Sequence, residues 1–184
     1  MHEDELGSHA DTAVRIGLQV PSLTLPSTVG PLALRAVCAE RVVLYVYPAT
    51  GVPGRDPAVD PAPGWDDIPG AAGCTSQSLG FKQAFEEFAH EGIGVHGVSS
   101  QPLAEQRGFA LRHALPFPLL CDEGLELQRA WRLPTFVVAG RTFLKRMVLY
   151  VSANQVEQVI YPIAAPGESA RALLELLRRG ARPQ

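Results

Sequence analysis

The chain has 184 residues, 46% of them hydrophobic and 19% charged, with 16 Lys and Arg against 19 Asp and Glu. That size suits one globular domain, and a formal charge of −3 with scattered basic residues supplies no general attraction for a nucleic-acid backbone. No apolar run approaches the roughly 20 residues of a membrane helix, and the acidic first dozen residues lack the basic and apolar regions of a secretory leader, so no membrane partner and a cytoplasmic location are expected.

Residues 1–12 read as a flexible polar tail ahead of a single domain over 13–184. Val14 to Leu25 alternates loosely and is interrupted by Pro21, which suggests an edge strand or ribbon. Arg41-Val-Val-Leu-Tyr-Val-Tyr47 is the clearest strand, apolar on both faces as a central strand covered on each side requires. Pro48 ends it. From there to Gly73 the chain carries six Pro and five Gly, with no periodicity, and includes what reads as an inserted loop around 51–65.

A helix follows over Ser76 to His90, with Phe81, Ala84, Phe85 and Phe88 on one stripe and Gly92 as its stop. Ile93 to Ser99 reads as a second central strand, Pro102 to Ala114 as a helix with proline in its first turn, and Leu119 to Cys121 as a short strand. Glu123 to Trp131 suits a short helix. Pro134 to Val138, Phe143 to Val151 and Val156 to Tyr161 read as strands, the last two joined by a Ser152-Ala-Asn154 turn. A final helix carries Ala170, Leu173, Leu174 and Leu177 and ends in Arg178 and Arg179, which suit its negative C-terminal end. The order predicts an α/β sandwich, a central mixed β-sheet with helices on both faces.

The three cysteines, Cys38, Cys74 and Cys121, form no Cys-x-x-Cys pair, which argues against a disulfide framework or a thiolate zinc site. Cys74 falls between a loop leaving a central strand and the start of the Phe-rich helix. Backbone N–H groups and the positive end of the helix dipole favour thiolate at such a place. Moving a cysteine from a pKa of about 8.5 to about 6.5 needs roughly 2.7 kcal/mol, and the dipole supplies about 0.3–1 kcal/mol, so a guanidinium is expected beside the sulfur. On position alone, a small residue packed in the core is an equally good account of Cys74.

The surrounding words decide between the two. Val42-Val-Leu-Tyr-Val-Tyr-Pro48, Gly73-Cys-Thr75 followed by Gln77 and Gly80-Phe81, Gly94-Val-His-Gly-Val-Ser-Ser100 and Pro116-Phe-Pro-Leu-Leu-Cys-Asp122 together resemble a peroxiredoxin of the bacterioferritin comigratory, or Q-type, subgroup. The likeness runs from about Val14 to Leu177. It implies a thioredoxin-like fold and reduction of hydrogen peroxide or organic hydroperoxides by a peroxidatic cysteine, Cys74, that passes through sulfenic acid. It implies a pocket that includes Pro48, Gly73 and Thr75, and an arginine that stabilises both thiolate and transition state. Arg146, at the start of Arg146-Met-Val-Leu149, is the first choice; Arg141, in Arg141-Thr-Phe143, is the rival. No cofactor is implied. The partners implied are a peroxide and an external thiol reductant of thioredoxin, glutaredoxin or glutathione type, with the chain a monomer or homodimer.

Two departures stand against this likeness. The family's threonine, three residues before the cysteine, is here Ala71, so Thr75, Thr50, a backbone N–H or water must orient the sulfur and the peroxide. The resolving cysteine that many relatives place five residues after the first is here Leu79. Regeneration then falls to Cys121 as the candidate resolving residue, to Cys38, to another subunit, or to an external thiol in a one-cysteine cycle. The insertion shapes the pocket, makes a subunit contact, or is a surface loop. The five histidines lack metal-ligand spacing, so no metal site is expected, and Tyr45, Tyr47 and the phenylalanines read as packing residues. The competing function is a non-catalytic thioredoxin-fold binding module or redox sensor.

Overall fold

Alternation along the strands sorts the apolar side chains of this chain onto two faces of one sheet. In the computed structural model, which describes residues 14–55 and 64–180, β3 (Val42–Val46) is the middle strand and is buried along its whole length. It pairs in parallel with β4 (Gly94–Ser99), which pairs in parallel with β5 (Leu119–Cys121). On its other side β3 pairs antiparallel with β8 (Met147–Ser152), and β8 with β9 (Gln155–Ile160). The order β5-β4-β3-β8-β9 is therefore a mixed sheet, as expected.

Val42, Leu44 and Val46 point into one core half, with Leu34 of α1 (Leu34–Val37) and Leu127 and Trp131 of α5 (Glu126–Trp131). Val43, Tyr45 and Tyr47 point into the other. There they meet Phe81 of α2 (Cys74–Gln83), Phe88 of α3 (Phe85–His90), Phe109 of α4 (Leu103–Arg112) and Leu173 of α6 (Ser169–Gly180). Helices thus cover both faces, and the aromatic stripe of the sequence forms one half of the core.

The structure corrects several boundaries. Val14 to Leu25 is not a continuous strand: Gly17 and Pro21 break it into an isolated bridge at Gln19 and a two-residue strand β1 (Thr24–Leu25) that pairs with β2 (Leu32–Ala33). The helix expected over Ser76 to His90 begins at Cys74 and is interrupted at Ala84, whose backbone caps α2 at φ −88°, ψ 0°. Its apolar stripe survives the break because Phe81, Ala84 and Phe88 all stay buried. The strand expected over Phe143 to Val151 is two strands. β7 (Arg141–Leu144) forms a separate hairpin with β6 (Thr135–Val138), and the chain leaves it through Lys145, whose N–H is held by the Pro134 carbonyl at 2.8 Å, before β8 begins. The β8–β9 turn is made by Ala153 and Asn154, both left-handed, the arrangement a tight hairpin favours. The tail expected over residues 1–12 and the middle of the insertion lie outside the described residues.

Candidate active site

In a sheet with parallel central strands, the loops leaving the carboxyl ends of those strands are the natural walls of a site. Here β3 runs out through Pro48, Ala49 and Thr50, and β4 through Ser99, Ser100 and Gln101, and both loops face the first turn of α2. Gly73 precedes that helix with φ +97°, where a side chain is strained, and a Cβ added there would stand 2.8 Å from Pro166 Cγ. Further along the helix, Gly80 lies against Gly167: its added Cβ would be 2.3 Å from the Gly167 carbonyl oxygen. The two glycines thus let α2 press against the segment leading into α6, which fixes where the helix starts and so where Cys74 stands.

Cys74 is the first residue of α2 and only 4% exposed. Arg146 leaves the chain between β7 and β8, is 3% exposed, and donates from Nη2 to Cys74 Sγ at 3.2 Å. The same nitrogen donates to the carbonyls of Ala72 at 2.9 Å, Gly70 at 3.2 Å and Ala71 at 3.3 Å, while Nη1 donates to Gln77 Oε1. Four acceptors on the loop and helix around the sulfur hold the guanidinium in place, which is how a fork of fixed donors serves as a fixed charge. Arg146 Nε and Gln77 Nε2 are buried with no hydrogen-bond partner among the described residues.

The expectation of a guanidinium on the sulfur is met by Arg146 and not by Arg141. Arg141 is exposed at the rim, its guanidinium carbon 5.1 Å from the Phe143 ring centre. Two opposed influences act on the ionisation of that sulfur. Burial pushes the Cys74 thiol above its ordinary value, and the charge and hydrogen bond of Arg146, with backbone hydrogen bonds of Ala49 and Cys74, pull it only part of the way back. The thiol itself donates to the Ala71 carbonyl at 3.5 Å.

In front of the sulfur opens a pocket of about 260 Å³. Gly73 and Thr75 line it as expected. Pro48 does not: it is buried behind the wall, its carbonyl accepting from Ser99 Oγ at 2.8 Å, and Ala49, Thr50 and Gly51 form the surface instead. Thr50 is 4% exposed, and both its N–H and its hydroxyl donate to Gln101 Oε1, at 3.0 and 3.2 Å. Gln101 answers with Nε2 to the Thr50 carbonyl at 2.8 Å and to Glu105 Oε2 at 2.8 Å. This lock ties the β3 loop to α4 and holds one pocket wall rigid. Sequence reading names no role for Gln101, for Gln77 or for Trp65, which also lines the pocket. The available signal for Gln101 is its polar Ser99-Ser-Gln context just past a buried parallel strand.

The other cysteines lie apart. Cys38 is fully buried in the core half on the opposite face of the sheet, and burial alone pushes its thiol up to about 12. Cys121 is 3% exposed at the end of β5, behind Gln101, to whose backbone carbonyl it donates at 3.3 Å. It is not on the pocket wall, and burial raises it too. Among the described residues, no group of three His, Cys, Asp or Glu side chains is gathered where it would hold a metal ion. His96, half-buried, is lowered to about 4 by desolvation.

An enclosed sulfur with a guanidinium on it and a cavity before it defines a class, the thiol whose partner is a small oxidant that can enter. The AhpC/TSA family matches residues 69–157, which contain both Cys74 and Arg146. Chloroplastic peroxiredoxin Q of Sedum lineare is 30% identical over 146 residues, covering 79% of this chain and 67% of that protein, and the Arabidopsis thaliana protein of the same name is 31% identical, covering 80% and 59%. The crystal structure of Mycobacterium tuberculosis peroxidoxin BcpB superposes with a TM-score of 0.70 at 24% identity, over 91% of this chain and 98% of that one. A cysteine-to-serine variant of Xanthomonas campestris peroxiredoxin Q does so at 0.68 and 25% identity, over 90% and 99%. The chain belongs to the Q-type peroxiredoxins, thiol-dependent peroxidases on a thioredoxin-like fold. It spans roughly three fifths to two thirds of the length of the plant relatives named here.

Proposed function

We propose that this chain reduces hydroperoxides at Cys74 in a one-cysteine cycle completed by an external thiol. The observation that carries the reading is the 3.2 Å contact from Arg146 Nη2 to Cys74 Sγ at the first turn of α2, opening on the pocket. A binding module has no use for a buried guanidinium on a buried sulfur.

The chemistry follows from the geometry. The Cys74 thiolate attacks one oxygen of the hydroperoxide, an S–O bond forms as the O–O bond breaks, and the departing oxygen leaves with a proton as water or alcohol, giving Cys74 sulfenic acid. Negative charge spreads along the S–O–O line as this happens. Arg146 lies against the sulfur and the Ala49 backbone beside it, so both are placed to stabilise the charge that spreads along that line. A first external thiol then displaces water to give a mixed disulfide, and a second releases Cys74 and takes away the external disulfide.

The one-cysteine form is supported by Leu79 in the local resolving position, by the sheet that separates Cys38 from Cys74, and by the place of Cys121 behind Gln101. A low-molecular-weight thiol of the glutathione type suits a sulfur that is 4% exposed at the foot of a narrow pocket, on a helix pressed against Gly167. Three unpaired cysteines suit a reducing compartment such as the cytoplasm.

Intact mass after mixing with one equivalent of hydrogen peroxide tests this. Wild type is expected to gain one oxygen, mapped to Cys74 and not to Cys38, and Cys74→Ser to gain none. An unreacted wild type, or oxygen on another cysteine, overturns it; a Cys74–Cys121 disulfide replaces the one-cysteine cycle.

A further inference from the structure

The inserted stretch between β3 and α2 is not a bystander to the site. Trp65, in the 3-10 turn Trp65–Asp67, is 7% exposed and packs edge-on to Phe143, ring centres 4.9 Å apart at 85°, and to Phe136 at 5.6 Å and 62°. Phe136 and Phe143 stack across the β6–β7 hairpin at 5.6 Å. With Ala71, Trp65 and Phe143 make a third apolar cluster, distinct from the two core halves. This cluster reaches the Cys74 pocket, where Trp65, Phe143, Val138, Ala49 and Ala71 together form an apolar wall.

Hydrogen peroxide cannot exploit such a wall, because it carries no apolar surface to desolvate and reacts through the polar end of the pocket alone. A hydroperoxide with an alkyl or aryl group can lay that group against the indole and the phenyl rings while its peroxide oxygens meet Cys74, which Arg146 backs at 3.2 Å. Resting on the peroxidase reading above, we infer that Trp65 is a specificity-determining residue that favours hydroperoxides bearing a bulky apolar group over hydrogen peroxide. The inserted loop supplies the indole, and the hairpin that ends just before Arg146 supplies the surface it docks on. Substrate choice and the position of the catalytic guanidinium therefore meet at one hairpin.

Rapid-mixing rate constants for oxidation of Cys74 by cumene hydroperoxide and by hydrogen peroxide test the inference, with the ratio of the two as readout. Trp65→Leu is expected to lower that ratio about tenfold, a difference of about 1.4 kcal/mol in transition-state binding. An unchanged ratio in a folded variant overturns the inference.

A second measurement does not depend on that variant folding. Trp131, the other tryptophan, lies in the opposite core half with its Nε1–H on the Gln19 carbonyl at 2.9 Å, so in Trp131→Phe the emission comes from Trp65 alone. Titration with 2-phenyl-2-propanol, the alcohol product, is expected to change that emission saturably; emission that does not respond overturns the inference. A wild type that reacts with neither peroxide counts against the peroxidase reading instead, and the alcohol titration still decides whether the wall takes an apolar group.

Discussion

Cys38 and Cys74 are nearly equally hidden, 0% and 4% exposed, on opposite faces of one sheet, yet their surroundings differ in kind. Cys38 is packed among aliphatic side chains, and desolvation alone sets its state. Cys74 suffers the same desolvation but has Arg146 on its sulfur, backbone hydrogen bonds beside it and a cavity in front. Burial by itself makes a thiol inert. What turns a buried thiol into a nucleophile is a fixed charge buried with it and a route for one small reactant.

The strongest way to break that contrast is to remove the charge. Arg146→Gln is expected to slow oxidation of Cys74 by about a hundredfold, about 2.7 kcal/mol of transition-state stabilisation, and to raise the Cys74 pKa further, because the first influence opposing its burial is gone. Rapid-mixing oxidation rates and thiol titration by alkylation read the two effects; a rate within threefold of wild type would mean that Cys74 works without the guanidinium. Next in size is the helix placement. Gly80→Ala puts a methyl against the Gly167 carbonyl, which is backbone and cannot swing aside, and is expected to destabilise the fold by about 2 kcal/mol, seen as a thermal midpoint lower by roughly 6 °C. An unchanged midpoint would show that α2 is not held there.

The smallest step is the pH response. Since the reactive form is the thiolate and its pKa stands above the ordinary value, the thiolate fraction rises with pH throughout the neutral range. The oxidation rate should therefore climb close to tenfold per pH unit, about 1.4 kcal/mol each, between pH 6 and 8. A flat profile over that range would show a sulfur ionised at rest and would overturn the balance described above.

The sheet is readable from sequence because β3, β5 and β8 are short runs apolar on both faces, the pattern of a strand covered on each side, and β9 returns along β8 through a tight turn. Cys74 and Arg146 are reachable only through the likeness of ordered motifs, since no rule of periodicity picks one arginine over Arg141. What escapes is set by contacts far apart along the chain. Phe143 to Val151 reads as one strand because it is an apolar run interrupted only by Lys145 and Arg146, and only the folded chain shows the break between β7 and β8 from which Arg146 turns inward. The start of α2 at Cys74 is missed because Gly73, and not a side-chain cap, precedes it. Trp65 carries no local signal of its place on the pocket, and the Ser99-Ser-Gln context of Gln101 does not name its partner: one meets Phe143 across the site, the other Thr50 across two loops.

The tight seat of α2 on Gly167 has one more consequence. In the cycle proposed above, a helix seated there keeps the sulfenic acid inside the same narrow chamber that admits the next oxidant molecule. When external thiol runs short, a second oxygen is added on the spot and the protein falls silent as sulfinic acid. Its working life is then counted in oxidant molecules met without rescue, which makes the surviving active fraction a record of how far oxidant supply has outrun thiol supply.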